Sequence, residues 1–491
     1  MIIPTYVGTK RKTTNYNVVA TYDHTTPLTH QGELPRCLAS LRDSGIAVPI
    51  ILLVVSETGI EREASAKVRE IAYAFHEALD LRVIDSDLVT QFHIRAEQLG
   101  VSGIKEGISL VGYGAMRNLG LIIAATLDYT ELVFIDDDEV ITHPDFLEKA
   151  LYGLGKLSQK GVPVLVKSGF FVDRKGQWQS KQSNAWYNRS WEQGTLFNKW
   201  ITSAMNAPRL SRSNMLNGGV MALHREAFRR VSFDPWIPRG EDLDYLLNIR
   251  MYGGSVWFDN NWSILHLPPT ERNEAQRFKQ DIYRWIYEHR KLEFSKTQID
   301  LLQIQPHTLD PYPGPFLENS ITTRVLTTAL LRTVGRPQER QGYMKAAQAA
   351  RREARAYAEM FCSKYFEFQL GWAQVLATLE VDARLKALFR DASRVASMEP
   401  VDYESVMLDS SNPLYVPPLP SEREQDHTRA LQPVAQTSLP AQAASVSPEQ
   451  LAVQGQSGSS NGLKPEIFDF ELDLESLGID IDTGSAQSLQ E

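Results

Sequence analysis

The chain has 491 residues, with 60 acidic against 51 basic side chains and a net charge of −9, which excludes the broadly basic surface that phosphate-backbone binding requires. Its longest strongly apolar stretch, Pro49 to Val55, falls far short of the ~20 residues needed to cross a hydrocarbon core. Two distant cysteines, Cys37 and Cys362, exclude a disulfide scaffold and a cysteine-based zinc cluster. A soluble, cytoplasmic protein without nucleic-acid partners is therefore expected.

In chain order, Asn17 to Tyr22 reads as a strand, and Leu34, Cys37, Leu38 and Leu41 recur at helical spacing after it. Ile50 to Val55 is a continuous apolar run suited to a strand covered on both faces, followed by a helical pattern from Glu61 to Leu79. Val83-Ile84 suggests a third strand, and a helix from about Tyr113 to Leu127 leads into the buried strand Leu132 to Ile135. This alternation predicts an α/β fold with a mostly parallel sheet flanked by helices. From Glu271 to Gln303 and from Arg336 to Arg390 the pattern is helical, with the basic run Lys345 to Arg355 read as the solvated side of a packed helix. From Val401 onward there are fifteen Asp or Glu against three Lys or Arg, in a stretch rich in Pro, Ser and Gln. Disorder is expected there, because too little apolar surface is available to offset the ordering entropy. Its end, Ile467 to Glu475, alternates apolar with acidic residues and would either dock on a protein partner or stay solvated. The expected domains are thus 1–270, a helical extension at 271–400 and an acidic tail at 401–491.

The chemistry concentrates in three places. Asp136-Asp137-Asp138-Glu139 follows a buried strand, where mutual repulsion is costly unless a cation relieves it. Oxygen ligands suit Mg²⁺ or Mn²⁺ carrying a diphosphate, with Asp136 and Asp138 aimed at one species; helix capping before Pro144 accounts for the same acids. Roughly a hundred residues later, Asn217-Gly218-Gly219 opens an apolar strand at a point where backbone can approach a ligand. Glu241-Asp242 then begins a helix, where the dipole favours carboxylates and a buried Asp can serve as a general base. The third place is His266, just past an apolar strand. Between the acidic run and Gly218, Trp186, Tyr187 and Trp191 stand in a polar stretch suited to stacking on sugar rings or to covering a core.

Taken together these motifs resemble GT-A fold glycosyltransferases, particularly family-2-like enzymes, over about residues 15 to 270. The resemblance rests on Val18 to Tyr22, Leu34 to Leu41, Gly114-Ala115-Met116-Arg117-Asn118-Leu119-Gly120, the DxD-like Asp136-Asp137-Asp138, Asn217-Gly218-Gly219, Glu241-Asp242 and His266. Where many members carry Asp-Asp-Gly-Ser, this chain has Ser56-Glu57-Thr58-Gly59, with Glu57 as the substitute. The resemblance implies a hexosyltransferase that moves sugar from a UDP- or GDP-sugar to a hydroxyl acceptor such as a saccharide, with Mn²⁺ or Mg²⁺ as cofactor. It implies donor contacts from Thr21, Tyr22, Glu57, Arg117, Asp136, Asp137, Gly218 and Gly219, and metal ligation by Asp136, Asp138 and His266. Asp242 would act as general base in an inverting reaction, assisted by Glu241, with Trp186, Tyr187, Trp191 and Arg239 on the acceptor side. Asp136 and Asp138 also fit a haloacid-dehalogenase-type phosphatase, though the motif there lies on the first strand, and a non-catalytic nucleotide- or sugar-binding protein of the same fold is a third reading.

Overall fold

A computed structural model describes residues 1–9, 22, 25–269 and 273–395. In chain order the first half runs β1 (Ile2–Gly8), β2 (Thr26–Pro27), α1 (Leu34–Asp43), β3 (Ile50–Ser56), α2 (Glu61–Tyr73), β4 (Leu81–Ile84), α3 (Ser86–Gln98), α4 (Tyr113–Thr126), β5 (Glu131–Phe134) and β6 (Glu139–Val140). It continues through α5 (Phe146–Leu151), β7 (Val166–Val172), α6 (Gln193–Met205), β8 (Leu210–Arg212), β9 (Met221–His224), α7 (Arg225–Arg230), α8 (Glu241–Met251) and β10 (Val256–His266). Helices follow: α9 (Glu274–Ser295), α10 (Ile321–Gly335), α11 (Arg340–Gln348), α12 (Ala354–Leu379) and α13 (Ala383–Ala387).

The strands form one sheet in the order β4-β3-β1-β5-β9-β7-β10-β6, with β2 beside β1 and β8 beside β10. As the βα alternation predicts, β1, β3, β4 and β5 are parallel, and β7 is parallel to β10. Between these groups β9 runs antiparallel to both β5 and β7, reached by the connection that carries the glycine pair. In β3 the apolar run is divided by the pleat: Ile51, Leu53 and Val55 enter one core layer, Ile50, Leu52 and Val54 the other.

The strand expected at Asn17 to Tyr22 falls outside the described residues except for Tyr22, which is buried and not in a strand. The central strand is Ile2–Gly8, which a reading of Ile2-Ile3-Pro4-Thr5-Tyr6 passes over because proline cannot donate to a ladder. Ile135 N donates to Ile2 O, and alternation turns position 4 to that same side. There β1 meets β5 only at Ile2↔Phe134, so Pro4 leaves no ladder bond unmade.

Helix α4 is buried along nearly its whole length because it is covered by the sheet on one side and by later segments on the other. Gly114 packs so closely on the 234–235 backbone that an added Cβ would stand 1.9 Å from Asp234 O. Gly114→Ala should therefore cost about 1–3 kcal/mol, read as a lower denaturation midpoint with an unchanged denaturant slope.

The helices beyond residue 271 share the core that lies on one face of the sheet: Trp285 and Tyr287 of α9 and Tyr365 and Trp372 of α12 all enter it. Helix α12 is also pinned by polar contacts, with Gln369 accepting from Ser232 N and Oγ and Trp372 Nε1 donating to Phe228 O. Arg95 of α3 pairs with Asp382 at 2.6 Å. Edge strand β4 is covered in turn, since Val83 N donates to Ser393 O and Val395 N to Leu81 O. In the basic run, Lys345, Arg351 and Arg355 are exposed while Tyr343, Ala346, Ala350 and Ala354 are buried, as a packed helix with a solvated side requires. Among the described residues no helix is long and apolar enough to cross a membrane. The acidic tail lies outside the described residues.

Candidate active site

The ends of β5 and β10, the glycine segment before β9 and the start of α8 meet at a cleft of about 780 Å³. The four consecutive acids after β5 have separate surroundings. Asp136 pairs with Arg117 Nη2 at 3.3 Å, and Asp137, buried, accepts a 2.7 Å hydrogen bond from Thr5 Oγ1 in the middle of the central strand. Glu139 turns back to accept from Asp136 N at 2.9 Å. Asp138 stands 3.3 Å from His266 Nε2, a meeting enforced by the antiparallel register His266↔Glu139 between β10 and β6.

Burial first, then the charges of neighbouring acids, pushes the Glu139 carboxyl well above its ordinary range, and burial followed by Asp138 does the same to Asp137. Asp136 is raised too, by burial, with Arg117 opposing and Asp138 adding. This concentration of carboxylates has less positive charge beside it than full ionisation demands. No group of three His, Cys, Asp or Glu in metal-holding geometry occurs among the described residues. Asp138 and His266 nevertheless fit as a pair of adjacent ligands, because donors ~2.1 Å from an octahedral ion at right angles lie about 3 Å apart. Asp136, expected as a third ligand, is instead turned to Arg117. Two protein ligands are what a Mg²⁺-type site uses when phosphate oxygens and water complete the shell.

Arg117, from the second turn of α4, joins this acidic end to α8. Its Nε lies 3.3 Å from Glu241 Oε1, its guanidinium is 4.7 Å from the Phe134 ring centroid, and Nη1 has no partner. Burial, then the charge of Asp242, pushes Glu241 up to about 7 while Arg117 pulls it down. Gly240, at φ +73° and directly against Arg284, turns the chain into α8. Asp242 is half-buried and doubly oriented: Oδ2 accepts from Gly218 N at 3.1 Å and Oδ1 from Leu243 N at 2.7 Å. The glycine pair is also closely approached by side chains of the site. A Cβ on Gly219 would stand 1.9 Å from Glu139 Oε1, and one on Gly218 2.7 Å from Arg117 Nη2.

Below this loop, Lys291 of α9 is fully buried and donates to Asp234 at 2.8 Å and to Asp244 at 2.8 Å. Tyr287 also donates to Asp234, at 2.9 Å. The Phe233 to Asp244 segment is thereby clamped from beneath at both ends.

The cleft is also lined by Tyr187, Trp191 and Arg239. Trp191 is fixed edge-on against Phe278 and Phe316, with centroids at 5.0 and 5.1 Å. Trp186 is 53% exposed and does not line the cleft. Glu57 is also elsewhere, accepting from Thr9 N and Oγ1, and Thr21 lies outside the described residues. Tyr22 stands one layer back, its ring 4.7 Å from that of Tyr6 and its hydroxyl accepting from Gly112 N. Tyr6 and Tyr113 line the cleft in its place. Thr5-Tyr6 lies within the central strand, so a Thr-Tyr pair after an apolar run was the signal, present in the sequence sixteen residues before the pair read there. The cleft arginines of α9 and α10 carry no comparable local mark.

No family model and no curated protein sequence matches the chain. Among solved structures it is similar to the mannosyltransferase PcManGT from Pyrobaculum calidifontis, in complex with GDP-Man and Mn²⁺, at 14% identity and a TM-score of 0.34, over 79% of this chain and 86% of that one. It is also similar to GalNAc-T7 with UDP, GalNAc and Mn²⁺, at 12% identity and a TM-score of 0.30, over 70% of this chain and 56% of that one. A third, S. aureus TarS, has 11% identity and a TM-score of 0.30, over 71% of this chain and 55% of that one.

Proposed function

We propose that the chain is a metal-dependent glycosyltransferase of the GT-A type, transferring a hexose from a nucleoside-diphosphate sugar to an acceptor hydroxyl with inversion. The observation that carries this reading is the placement of an oriented carboxylate, Asp242, in the same cleft as the Asp138 and His266 pair. Asp138 and His266 would hold Mn²⁺ or Mg²⁺, which when bound supplies positive charge to the departing diphosphate. Tyr6 and Tyr113 offer aromatic faces to the base, and Thr5 keeps Asp137 fixed against the central strand. Arg117 holds Asp136 and Glu241 apart and in register. With both oxygens committed to N–H donors, Asp242 takes the proton of the acceptor hydroxyl as that oxygen attacks the anomeric carbon. Glu241, with its raised pKa, limits the negative charge beside this base.

The test is binding of UDP and GDP, each with Mn²⁺ or EDTA, to the parent and to Asp138→Asn, by thermal shift and calorimetry. A diphosphate should stabilise the parent only with metal, and Asp138→Asn should lose about tenfold or more in affinity along with the metal dependence. Metal-independent binding that the substitution leaves untouched would remove the metal assignment.

A further inference from the structure

Besides its acids, the cleft has a basic lining of Lys181, Arg239, Arg277, Arg284, Arg332 and Arg336, none of them needed for ligation at Asp138 or proton removal at Asp242. Two are held by carboxylates of α9: Arg239 pairs with Asp281 at 2.6 Å and Arg284 with Glu288 at 3.1 Å. Arg284 is only 6% exposed, and its Nη2 has no hydrogen-bond partner.

Arg332 pairs with no carboxylate among the described residues. Its Nε donates to Asn188 Oδ1 at 2.8 Å, and its guanidinium lies 4.2 Å from the Phe278 ring centroid. Four residues on, Arg336 donates through Nη1 to Tyr343 OH at 3.0 Å and pairs through Nη2 with Glu339 at 2.5 Å. Like charges at this spacing repel. Burial lowers the Arg332 pKa, Tyr343 and Asp281 oppose the change, and Arg336 adds to it. A helix C-terminus attracts cations, which explains arginines at the end of α10 but not their turning into a cleft.

The pair belongs to the wall built from residues 180–197, not to the Asp138 and His266 edge. Asn188 holds Arg332, and the Tyr187 ring lies so near Gly335 that a Cβ there would meet Cδ1 at 2.2 Å. Tyr187 and Trp191, the aromatic faces of that wall, therefore share one rigid surface with both guanidinium groups.

We infer that the acceptor is an anionic saccharide, with its phosphate or carboxylate held by Arg332 and Arg336 while Tyr187 and Trp191 take the sugar faces. The inference rests on the transfer reading above for the word acceptor. The planar guanidinium fork suits both anions.

The experiment uses the full chain. Titration with UDP and GDP in the presence of Mn²⁺ reports on the transfer reading alone. Calorimetric titration with glucose 6-phosphate, glucuronate and glucose then reports on the anion subsite. An anionic sugar should bind about tenfold or more tighter than glucose, and Arg332→Gln with Arg336→Gln should erase that preference while diphosphate affinity stays within about twofold. The matching Arg→Lys pair, which keeps the charge, should retain part of the preference and exclude misfolding as the cause. Tighter binding of glucose 6-phosphate than of glucuronate assigns a phosphate, and the reverse order a carboxylate. Equal binding of charged and neutral sugars overturns the inference, as does loss of diphosphate affinity in the Gln variant, which would give the arginines to the donor. A preference for anionic sugars in a chain that binds no diphosphate would keep the subsite and remove the transfer reading.

Discussion

Asp242→Asn is expected to lower kcat by about 10²–10⁴-fold while leaving nucleotide affinity within about twofold, the range lost when a positioned general base is removed. The substitution is nearly isosteric, so the loss reports chemistry rather than packing. The carboxylate now accepts from two backbone donors, Gly218 N and Leu243 N; an amide oxygen can serve only one of the two, because the amide nitrogen is itself a donor. A stability loss of about 1 kcal/mol from the unmet N–H is therefore expected alongside the kinetic defect. Steady-state rates with the donor identified by binding, beside a calorimetric titration of the same diphosphate, separate the two effects. Undiminished turnover would show that another group takes the proton.

The largest stability effect belongs to Lys291→Met. The ammonium is fully buried, contacts Asp234 and Asp244 at 2.8 Å, and lies 3.7 Å from the Tyr365 ring centroid. Removing one partner of such an arrangement leaves uncompensated buried charge, at a cost of about 3–5 kcal/mol. The dependence on pH has a definite sign. Burial, opposed by Lys291, already raises Asp244 to about 6, and without the cation the folded-state pKa moves further up. A raised folded pKa gives stability that is present in acid and lost as pH rises through it, so the deficit of the variant should widen from pH 5 to pH 8. Urea unfolding at both ends of that window measures it. Adding Asp234→Asn and Asp244→Asn should restore part of the stability, and no recovery would mean that packing, not charge, is what Lys291 contributes.

How much of this was readable beforehand depended on how local each signal is. The strand Ile50–Ser56 and the strand ending at Phe134 are legible because both faces are covered and the apolar runs are unbroken. Ile2–Gly8 was hidden by one proline whose missing N–H faces the side where the ladder stops, a fact of sheet order that no window of sequence contains. The acids of the site stand at strand ends and a helix start, so Asp138, Asp242 and His266 could be picked out individually, and the structure brings them to one cleft. Asp136 was expected as a ligand because alternate residues share a face; its pairing with Arg117 depends on α4, nineteen residues away. The basic wall was illegible for the opposite reason. Arg277, Arg332 and Arg336 sit on helices whose charged positions resemble any solvated face, and only packing of those helices against residues 180–197 turns them inward.

The clamp beneath the segment bearing Asp242 also joins parts of the chain that are synthesised at different times. The ten strands of the described residues have been made once His266 has emerged, yet the segment bearing Asp242 still lacks its buried counter-ion. Lys291 and the α12 residues that grip Ser232 come later in the chain, so the segment bearing Asp242 cannot be held in place until they too have been made.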